Sequence, residues 1–396
     1  MAPLPHVTDT ALMHFVIPTP SDVPLQPSLT IGLLGPSAQS KSALVQAITN
    51  KKRCKHCVPP TWRYTHVKIY RSVLYNSQKT KYCAQTGQFP DSYTDNEGRD
   101  WQFIRYVSFV DGPNLLAAAL DAALVLASPQ SELIESTQKI NNWAIIDDCQ
   151  NIKQRQRVRS GSGIALPPSV QSILEYICNL PIPRWDLTKP PQMRIIQSVD
   201  PNRPGQSCDG LKGGVAYGSI TQGVFRVGDI VELRPGRFSR DRTTGRFKCT
   251  PLVTRIQALH TDETMLTNAA PGGLICVSTT LDPTLTRSNR LIGQFMGPRG
   301  TLPLIYTEID ISYQLLLCAK NNLFTVGEVL MANIGATTLG VKIIAAAENK
   351  ATFQLSAPIC GQIGDLMVLS RRRRGVWQPV GRGSIESGVV ADVIEI

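Results

Sequence analysis

Residues 35–42, GPSAQSKS, come close to the pattern of a phosphate-binding loop. That pattern is G-x-x-x-x-G-K-S/T, in which backbone N–H groups surround the phosphates, the lysine contacts them and the hydroxyl binds Mg²⁺. The chain supplies Gly35, Lys41 and Ser42, but Ser40 stands where the second glycine is expected. A serine costs about 1 kcal/mol or more where the backbone needs positive φ or close phosphate contact. The motif therefore predicts a phosphate site with weakened binding.

The elements that such a loop needs are predicted around it. Residues 28–35 form an apolar run typical of a strand, and residues 40–50 place apolar side chains at helical spacing. A second predicted strand, 102–113, ends in Asp111 before Gly-Pro. Strand, loop and helix in this order form a mononucleotide-binding unit, in which such an aspartate would hold Mg²⁺ through water. Ser42 and Asp111 are therefore the predicted metal-binding residues.

The chain is basic, and its composition is typical of a soluble folded protein. Hydrophobic residues make up 42%, charged residues 18%, and the formal net charge is +11. This surplus favours a polyanionic partner, with nucleic acid as the leading candidate and an ordinary basic cytosolic protein as the alternative. No apolar run approaches the roughly 18 residues of a membrane span, and the thinly spread cysteines fit reduced thiols. We therefore expect a cytoplasmic protein with no membrane partner.

The sequence predicts an arm and three domains. Residues 1–27 are rich in proline without a sustained period, as expected of an N-terminal arm. Residues 28–186 are interpreted as an α/β domain with a phosphate-binding loop. Beyond it, short strand-like runs alternate with Gly and Pro turns, which is typical of β-barrels. We predict one barrel over 187–300 and a second over 301–396.

Several barrel segments resemble a known family. They are VDPNRPG (199–205), LKGGVAYGSI (211–220), AAPGGLICVSTTLDPTL (269–285), LIGQFMG (291–297) and EVLMANIG (328–335). All look like segments of the gamma subunit of eukaryotic and archaeal translation initiation factor 2. The resemblance implies the translational GTPase architecture, an α/β P-loop GTPase-like domain followed by two β-barrel domains. It also implies GTP and Mg²⁺ as cofactors. The implied partners are alpha and beta subunits, initiator methionyl-tRNA and the small ribosomal subunit.

The resemblance assigns cofactor-binding roles within the first domain. The family's phosphate loop is close to G-H-V-A-H-G-K-S, so the chain keeps Gly35, Ala38, Lys41 and Ser42, and Asp111 joins them. Two explanations remain open at this point. The residues still bind phosphate and magnesium, or they persist only because the strand and the helix still pack.

The parts that support hydrolysis and guanine choice depart from the family. Alignment puts Pro59 at a threonine that contacts magnesium, with Thr61 or Thr65 as the alternative if the alignment shifts. The family's D-x-P-G-H is replaced by 111–115, DGPNL, without the histidine that positions water. The guanine-reading N-K-x-D has no counterpart in 144–152, AIIDDCQNI. We assign no catalytic residue, and we expect GTP hydrolysis to be reduced or lost and guanine to be poorly discriminated. Whether the protein is an enzyme stays open.

A zinc site is not expected. Cys54 and Cys57 have the spacing of half a site, and Cys83 with His56 or His66 could add ligands. A structural zinc needs four ligands, and one C-x-x-C pair is weak evidence for them.

Two segments are predicted to contact RNA. In the family the aminoacylated tRNA end lies between the nucleotide domain and the first barrel, which places 209–220 near it by resemblance. The run 371–374 is the densest basic stretch and predicts phosphate contact, with a solvated strand end as the alternative. Glycines near 213 could equally serve only a barrel corner or a bulge. The predicted RNA-binding residues are Lys212, Gly213, Gly214, Arg371, Arg372, Arg373 and Arg374.

The leading prediction is a gamma-like subunit that binds initiator methionyl-tRNA and the small ribosomal subunit within a heterotrimer, with reduced or lost GTP hydrolysis. One alternative is an active protein-synthesising GTPase of the same family. The other is an interaction paralogue that does not bind tRNA.

Overall fold

An α/β domain and two barrels make up the described part of the molecule. A computed structural model of the chain describes residues 29–34, 38–49, 63–73, 80–85, 92–95, 99–111, 122–126, 143–146, 164–166, 170–207, 210–261, 264–315, 324–373 and 375–394. These residues form one sheet with helices, followed by two closed six-stranded barrels. The predicted architecture is therefore confirmed. None of the described helices is long and apolar enough to cross a membrane.

The first domain is built on a mixed sheet. Its strands are β1 (Leu29–Leu34), β2 (Arg63–Val73), β3 (Thr80–Gln85), β4 (Ser92–Thr94), β5 (Asp100–Asp111), β6 (Ala122–Leu126), β7 (Trp143–Ile146) and β8 (Ile164–Leu166). The order is β3–β2–β5–β1–β6–β7–β8, with β4 paired to β5. Strands β5, β1, β6, β7 and β8 run parallel, while β2, β3 and β4 pair antiparallel. Helix α1 (Ala38–Thr49) follows β1, and helix α2 (Val170–Asn179) follows β8.

Helix α2 covers one face of this sheet. Ile173, Leu174 and Ile177 recur at the spacing of a single helical stripe and are buried. They pack in one cluster with Ile31 of β1 and Phe109 of β5. The apolar stripe therefore fixes α2 on the strands that lead to the predicted nucleotide site.

A buried arginine holds the end of α2. Arg105 of β5 donates from Nη1 to the carbonyl oxygens of Ile177 and Leu180, at 2.6 and 2.7 Å. These bonds satisfy carbonyls at a helix end, where the dipole also favours a cation. Burial lowers the pKa of Arg105. The positive charge on β5 therefore serves the fold of this domain.

The first barrel follows the sheet. Its ring strands are β9 (Gln192–Val199), β10 (Val215–Gln222), β12 (Ile230–Arg240), β13 (Phe247–Thr261), β16 (Ile275–Thr279) and β17 (Phe295–Gly297). The ring closes in the order β12–β17–β9–β10–β16–β13–β12. Short strands border it, namely β11 (Phe225–Arg226), β14 (Thr264–Leu266) and β15 (Asn268–Ala269). Met193, Phe225 and Val277 lie in its core at 0% exposure, so the barrel is filled by side chains.

The second barrel has the same strand number. It closes in the order β18–β21–β20–β19–β22–β23. The strands are β18 (Ile305–Leu315), β19 (Val329–Ile334), β20 (Thr337–Ala346), β21 (Lys350–Cys360), β22 (Leu366–Arg373) and β23 (Val376–Val390). Alternate residues point inward, as in β21, where Ala351, Phe353 and Leu355 are buried. The last strand, β24 (Asp392–Val393), returns to the first barrel and pairs in parallel with β13.

The two barrels are joined by a charged contact. Arg194 of β9 donates from Nη2 to both carboxylate oxygens of Asp365, at 3.0 and 3.2 Å. Its guanidinium lies 4.7 Å from the ring centroid of Phe295. Both charged side chains are less than one fifth exposed, at 19% and 18%. A single arginine therefore connects the barrels through a largely buried ion pair.

Candidate functional site

Strand register brings Asp111 to the edge where β1 ends. Strands β1 and β5 are parallel, with Gly32 opposite Val110. Leu34 and Asp111, the last residues of the two strands, therefore reach the same carboxyl edge of the sheet. Ligands of open α/β sheets bind at such carboxyl edges. The backbone thus places the predicted metal-binding aspartate next to the end of β1, after which the predicted phosphate loop begins in the sequence.

Helix α1 places the other predicted cofactor-binding residues at the same edge. It begins at Ala38, directly after the loop that follows β1, and Lys41 and Ser42 lie at its start, both half-buried. The N-terminus of a helix favours anions, because its free N–H groups and the positive end of the helix dipole face a ligand bound there. Gly35 lies outside the described residues. An ammonium, a hydroxyl and a carboxylate are the groups that a nucleotide phosphate with Mg²⁺ requires, so the residues present fit this cofactor.

The other predicted departures fall largely outside the described residues. Pro59, 112–115 and 147–152 lie there, as do Cys54 and Cys57. Of the possible zinc ligands, Cys83 lies on β3 and His66 on β2. Within the described ranges no group of three or more His, Cys, Asp or Glu residues could hold a metal ion.

A groove on the first barrel contains part of the predicted RNA site. It has a volume of about 890 Å³ and is formed on the outer side of β9, β10, β13 and β16. Lys212 and Gly213 line it, and Lys212 is exposed. Tyr217, His260 and Cys276 line it as well. We call it the first-barrel groove.

Register across three strands assembles the floor of the first-barrel groove. Cys276 of β16 is directly opposite Tyr217 of β10 on one side and His260 of β13 on the other. Directly opposite residues project to the same face of a sheet, so the three side chains form one row. Their chain neighbours Ala216 and Val277 are buried in the barrel core, as the period of two requires.

Two of the floor residues, Tyr217 and Cys276, are uncharged near neutral pH. Burial, with a contribution from Cys276, raises the pKa of Tyr217 to about 12. Burial also raises the pKa of Cys276, whose thiol is hydrogen-bonded to Tyr217. Lys212 lies at the margin of this floor. The groove thus combines an aromatic ring and neutral polar groups with a cation, a set that suits a nucleotide base and its phosphate.

The motif 199–205 positions Lys212. The amide oxygen of Asn202 accepts from the backbone N–H of Lys212 at 2.7 Å, and its Nδ2 donates to the carbonyl of Lys212 at 2.8 Å. Asn202 is in turn held by Asp200, whose Oδ1 accepts from its backbone and side-chain N–H groups. The two motifs recognised separately in the sequence therefore form one hydrogen-bonded unit at the groove.

The glycines of this unit are required by the barrel itself. A Cβ on Gly213 would overlap the carbonyl oxygen of Thr279, and one on Gly214 would overlap the side chain of Thr286. The N–H of Gly214 donates to the carbonyl of Leu281 at 2.9 Å, and its carbonyl accepts from Oγ1 of Thr279 at 2.7 Å. Close backbone approach therefore accounts for both glycines. Their predicted contact with RNA stays a prediction.

The first-barrel groove adjoins the α/β domain. The backbone N–H of Gly273 donates to Oγ1 of Thr30 on β1, at 3.2 Å. The next residue, Leu274, lines the groove. A ligand in the groove therefore lies close to the junction of the two domains.

The arginine run 371–374 does not form a uniform surface. Arg371 donates from Nε and Nη2 to the two carboxylate oxygens of Glu328, at 2.5 and 2.9 Å. It also lies 5.7 Å from the ring centroid of Phe324. Its side chain is only 15% exposed. This arginine therefore supports the second barrel.

The side chain of Arg372 lies on the opposite face of β22 from that of Arg371. It is exposed and directly opposite Trp377, which is 39% exposed. Arg373 is half-buried, and Arg374 lies outside the described residues. Of the described arginines in the run, Arg372 is the one best placed to contact phosphate.

Three residues of the first-barrel groove were missed by sequence reasoning. Tyr217 and Cys276 lie inside two segments that resemble the family, 211–220 and 269–285, but neither was predicted to contact RNA, and His260 lies in none of those segments. Alternation along 215–222 was the available signal, since it marks Tyr217 as an outward residue in a barrel strand. The register between strands, which creates the row, cannot be read from alternation alone.

The fold and these sites define a class of protein. Two solved structures of translation elongation factor SelB from Methanococcus maripaludis resemble the chain. The apo form has a TM-score of 0.58 and 13% identity, covering 93% of this chain and 82% of that one. The complex with the GTP analogue GPPNHP has a TM-score of 0.59 and 14% identity, covering 91% and 79%. At these identities the likeness shows the fold, which is that of translational GTPases.

The family is narrower than the fold. The chain is 33% identical over 435 residues to eukaryotic translation initiation factor 2 subunit gamma of Schizosaccharomyces pombe, covering 93% of this chain and 96% of the relative. The family model described as initiation factor eIF2 gamma, C terminal, matches residues 307–385. The chain belongs to the gamma-subunit family of translation initiation factor 2, and the resemblance predicted from its motifs is confirmed.

Proposed function

We propose that the chain carries initiator methionyl-tRNA in translation initiation and holds the aminoacylated end in the first-barrel groove. Membership of the initiation factor family supports a role in initiation. The observation that carries the tRNA proposal is the groove itself, with Lys212 at its margin and its position at the junction with the α/β domain. The 3′ end of a tRNA is single-stranded, and proteins bind such RNA by stacking and by contacts to base edges. Tyr217 offers the ring, while Gln257 and Ser278 offer hydrogen-bonding groups.

Filling the groove tests this proposal. Ser278→Trp places a bulky ring in the first-barrel groove, and we expect at least tenfold weaker binding of initiator methionyl-tRNA by filter binding. Lys212→Ala is expected to lower the slope of log K against log salt by about 0.7, because one phosphate contact on a single strand is lost. Thr267→Trp is the matched control, because Thr267 is exposed on the same barrel and does not line the groove. Equal tRNA affinity in Ser278→Trp and Thr267→Trp would refute the proposal.

We further propose that GTP with Mg²⁺ binds weakly at the edge formed by α1 and β5, with hydrolysis reduced or lost. Lys41 would contact phosphate, and Ser42 and Asp111 would hold the metal ion, directly and through water. The bound ion would neutralise phosphate charge. The absence of a histidine after Asp111 in the sequence DGPNL supports slow hydrolysis.

A titration with a fluorescent GTP analogue tests the nucleotide site. We expect magnesium-dependent binding that Lys41→Ala weakens at least tenfold, because the lysine contacts the phosphates directly. Lys81→Ala on β3 is the control, since Lys81 is exposed and distant in sequence from the loop. ATP is expected to compete, because the N-K-x-D pattern is absent. If the chain does not bind nucleotide at millimolar concentration, residues 35–42 no longer form a nucleotide site. Binding of tRNA would then be controlled without GTP.

The proposed partners follow from the family. We propose association with alpha and beta subunits and with the small ribosomal subunit, in the cytoplasm. Co-purification of tagged chain with the two subunits tests the heterotrimer, and isolation of the chain alone at native expression would contradict it.

A further inference from the structure

A second concentration of positive charge lies on the turn between β12 and β13. Residues 237–248 carry Arg237, Arg240, Arg242, Arg246 and Lys248 and one carboxylate, Asp241. All five cations are exposed. None of these residues lines the first-barrel groove. We call this segment the basic hairpin.

The turn of the basic hairpin is held in one shape by its own carboxylate. Oδ1 of Asp241 accepts from the backbone N–H groups of Thr243 and Thr244, at 2.9 and 3.1 Å. Oδ2 lies 3.1 Å from Nζ of Lys248. Chiefly through the bond from the N–H of Thr244, these interactions lower the pKa of Asp241 to about 2. The carboxylate of Asp241 is therefore bonded to groups within the hairpin.

Two arginines at the tip remain available to a ligand. Arg242 and Arg246 are exposed, and within the described part of the chain their guanidinium groups have no hydrogen bond or ion pair. Arg240 is partly used, since Nε donates to the carbonyl of Gly245 at 2.9 Å. A rigid turn that presents unpaired guanidinium groups suits a polyanion, because little ordering is needed on binding.

Aromatic rings accompany the cations on one face of the hairpin. Arg240 of β12 is directly opposite Phe247 of β13. Phe238 lies two residues before Arg240 on β12, so the three side chains share one face of the hairpin. The phenyl rings are edge to face, with centroids 6.2 Å apart, and Arg240 lies 5.5 Å from the centroid of Phe247. Phe238 is 48% exposed. An exposed ring beside arginines is the arrangement on which unpaired bases stack.

The same face borders a groove toward the second barrel. This groove, of about 710 Å³, is lined by Arg240, Arg246 and Phe247 on the hairpin side. Lys342, Gln354 and Ser356 line the opposite side, and the carboxylates of Glu308 and Asp392 also border it. Its volume lies within the range of about 300 to 1,000 Å³ that ligand sites have.

We propose that the basic hairpin and this groove bind single-stranded RNA without sequence preference. Phosphates pair with Arg242 and Arg246, and a base stacks on Phe238. An exposed phenyl ring among arginines favours nucleic acid over an acidic protein segment, for which charge alone would suffice. The site is separate from the first-barrel groove, so it does not depend on the tRNA proposal.

Binding of a fluorescent 12-nucleotide oligouridylate by the full chain tests the site. We expect Arg242→Glu/Arg246→Glu to weaken binding at least tenfold. The slope of log K against log salt should fall by about 1.4, since each phosphate contact on a single strand contributes about 0.7. Lys189→Glu/Lys350→Glu makes the same change of charge at exposed lysines outside the hairpin and is the matched control. Binding that falls equally in the two variants would overturn the proposal.

A second variant separates stacking from charge. Phe238→Ala is expected to bind about fivefold more weakly with an unchanged salt slope, because stacking does not release ions. With 4-thiouridine in the RNA, crosslinks are expected at Phe238 or Phe247. Ser278→Trp should bind oligouridylate normally, which distinguishes this site from the first-barrel groove. Crosslinks confined to other segments, or tighter binding of polyglutamate than of RNA, would refute the proposal.

Discussion

Gly213→Ala is expected to lower the free energy of unfolding by about 3 kcal/mol, because the added carbon meets backbone rather than a movable side chain. A Cβ at Gly213 would overlap the carbonyl oxygen of Thr279 and would lie 3.1 Å from the Cα of Thr280. Those atoms belong to a segment that is hydrogen-bonded to Gly214, so they cannot move away without loss of these hydrogen bonds. Urea denaturation followed by tryptophan fluorescence measures the loss.

The matched control is Gly340→Ala on the second barrel. The nearest atoms to a Cβ there are in the Ser356 side chain at 3.7 Å, which is ordinary contact. We expect a change within about 0.5 kcal/mol. If Gly213→Ala were as stable as Gly340→Ala but bound initiator tRNA poorly, the glycine would serve RNA contact rather than the fold. This result would reverse the structural assignment.

The sequence was informative about elements and less so about the first-barrel groove. Alternation and turn spacing predicted the barrels, because a half-buried strand must alternate whatever its partner is. The row of Tyr217, Cys276 and His260 depends on the pairing of three strands, which a single strand does not specify. For the glycines near 213, the sequence left a structural and an RNA-binding role open. The overlap with Thr279 supplies the structural reason.

The arginine run shows the same limit in another form. Four consecutive basic residues were interpreted as one RNA-binding patch, yet a strand sends neighbours to opposite faces. Alternation could have separated Arg371 from Arg372. It could not have supplied Glu328, which lies on the segment before β19 and pairs with Arg371 only in the folded barrel. Partners distant in sequence decide which charges remain available.

Two of the motifs that resemble the family, 291–297 and 328–335, have a physical role at the contact between the barrels. In LIGQFMG, Gly293 adopts φ of +80° and packs against Thr337, whose side chain a Cβ would overlap. In EVLMANIG, Gly335 adopts φ of +56° against the guanidinium of Arg194. Both glycines thus have positive φ and close contact, two demands that only glycine meets without strain. Two of the five recognisable segments therefore help to fix one barrel on the other.

Arg194→Met is expected to weaken the contact between the two barrels more than the substitution of any exposed residue would. It leaves the Asp365 carboxylate largely buried without its partner and removes the guanidinium from Phe295, so we expect the free energy of unfolding to fall by about 3 kcal/mol. Adding Asp365→Asn should restore part of the loss, because the uncompensated charge is then removed. Urea denaturation of the two single variants and the double variant gives the coupling.

The exposed pair Lys350–Glu386 provides the control for this experiment. Lys350 is 71% exposed, and its contact with Glu386 at 2.8 Å lies in solvent. Lys350→Met is expected to leave stability unchanged, since exposed pairs contribute little. Additive effects of Arg194→Met and Asp365→Asn would show that the two charges act independently. The barrels would then be held by their other contacts, among them the pairing of β24 with β13.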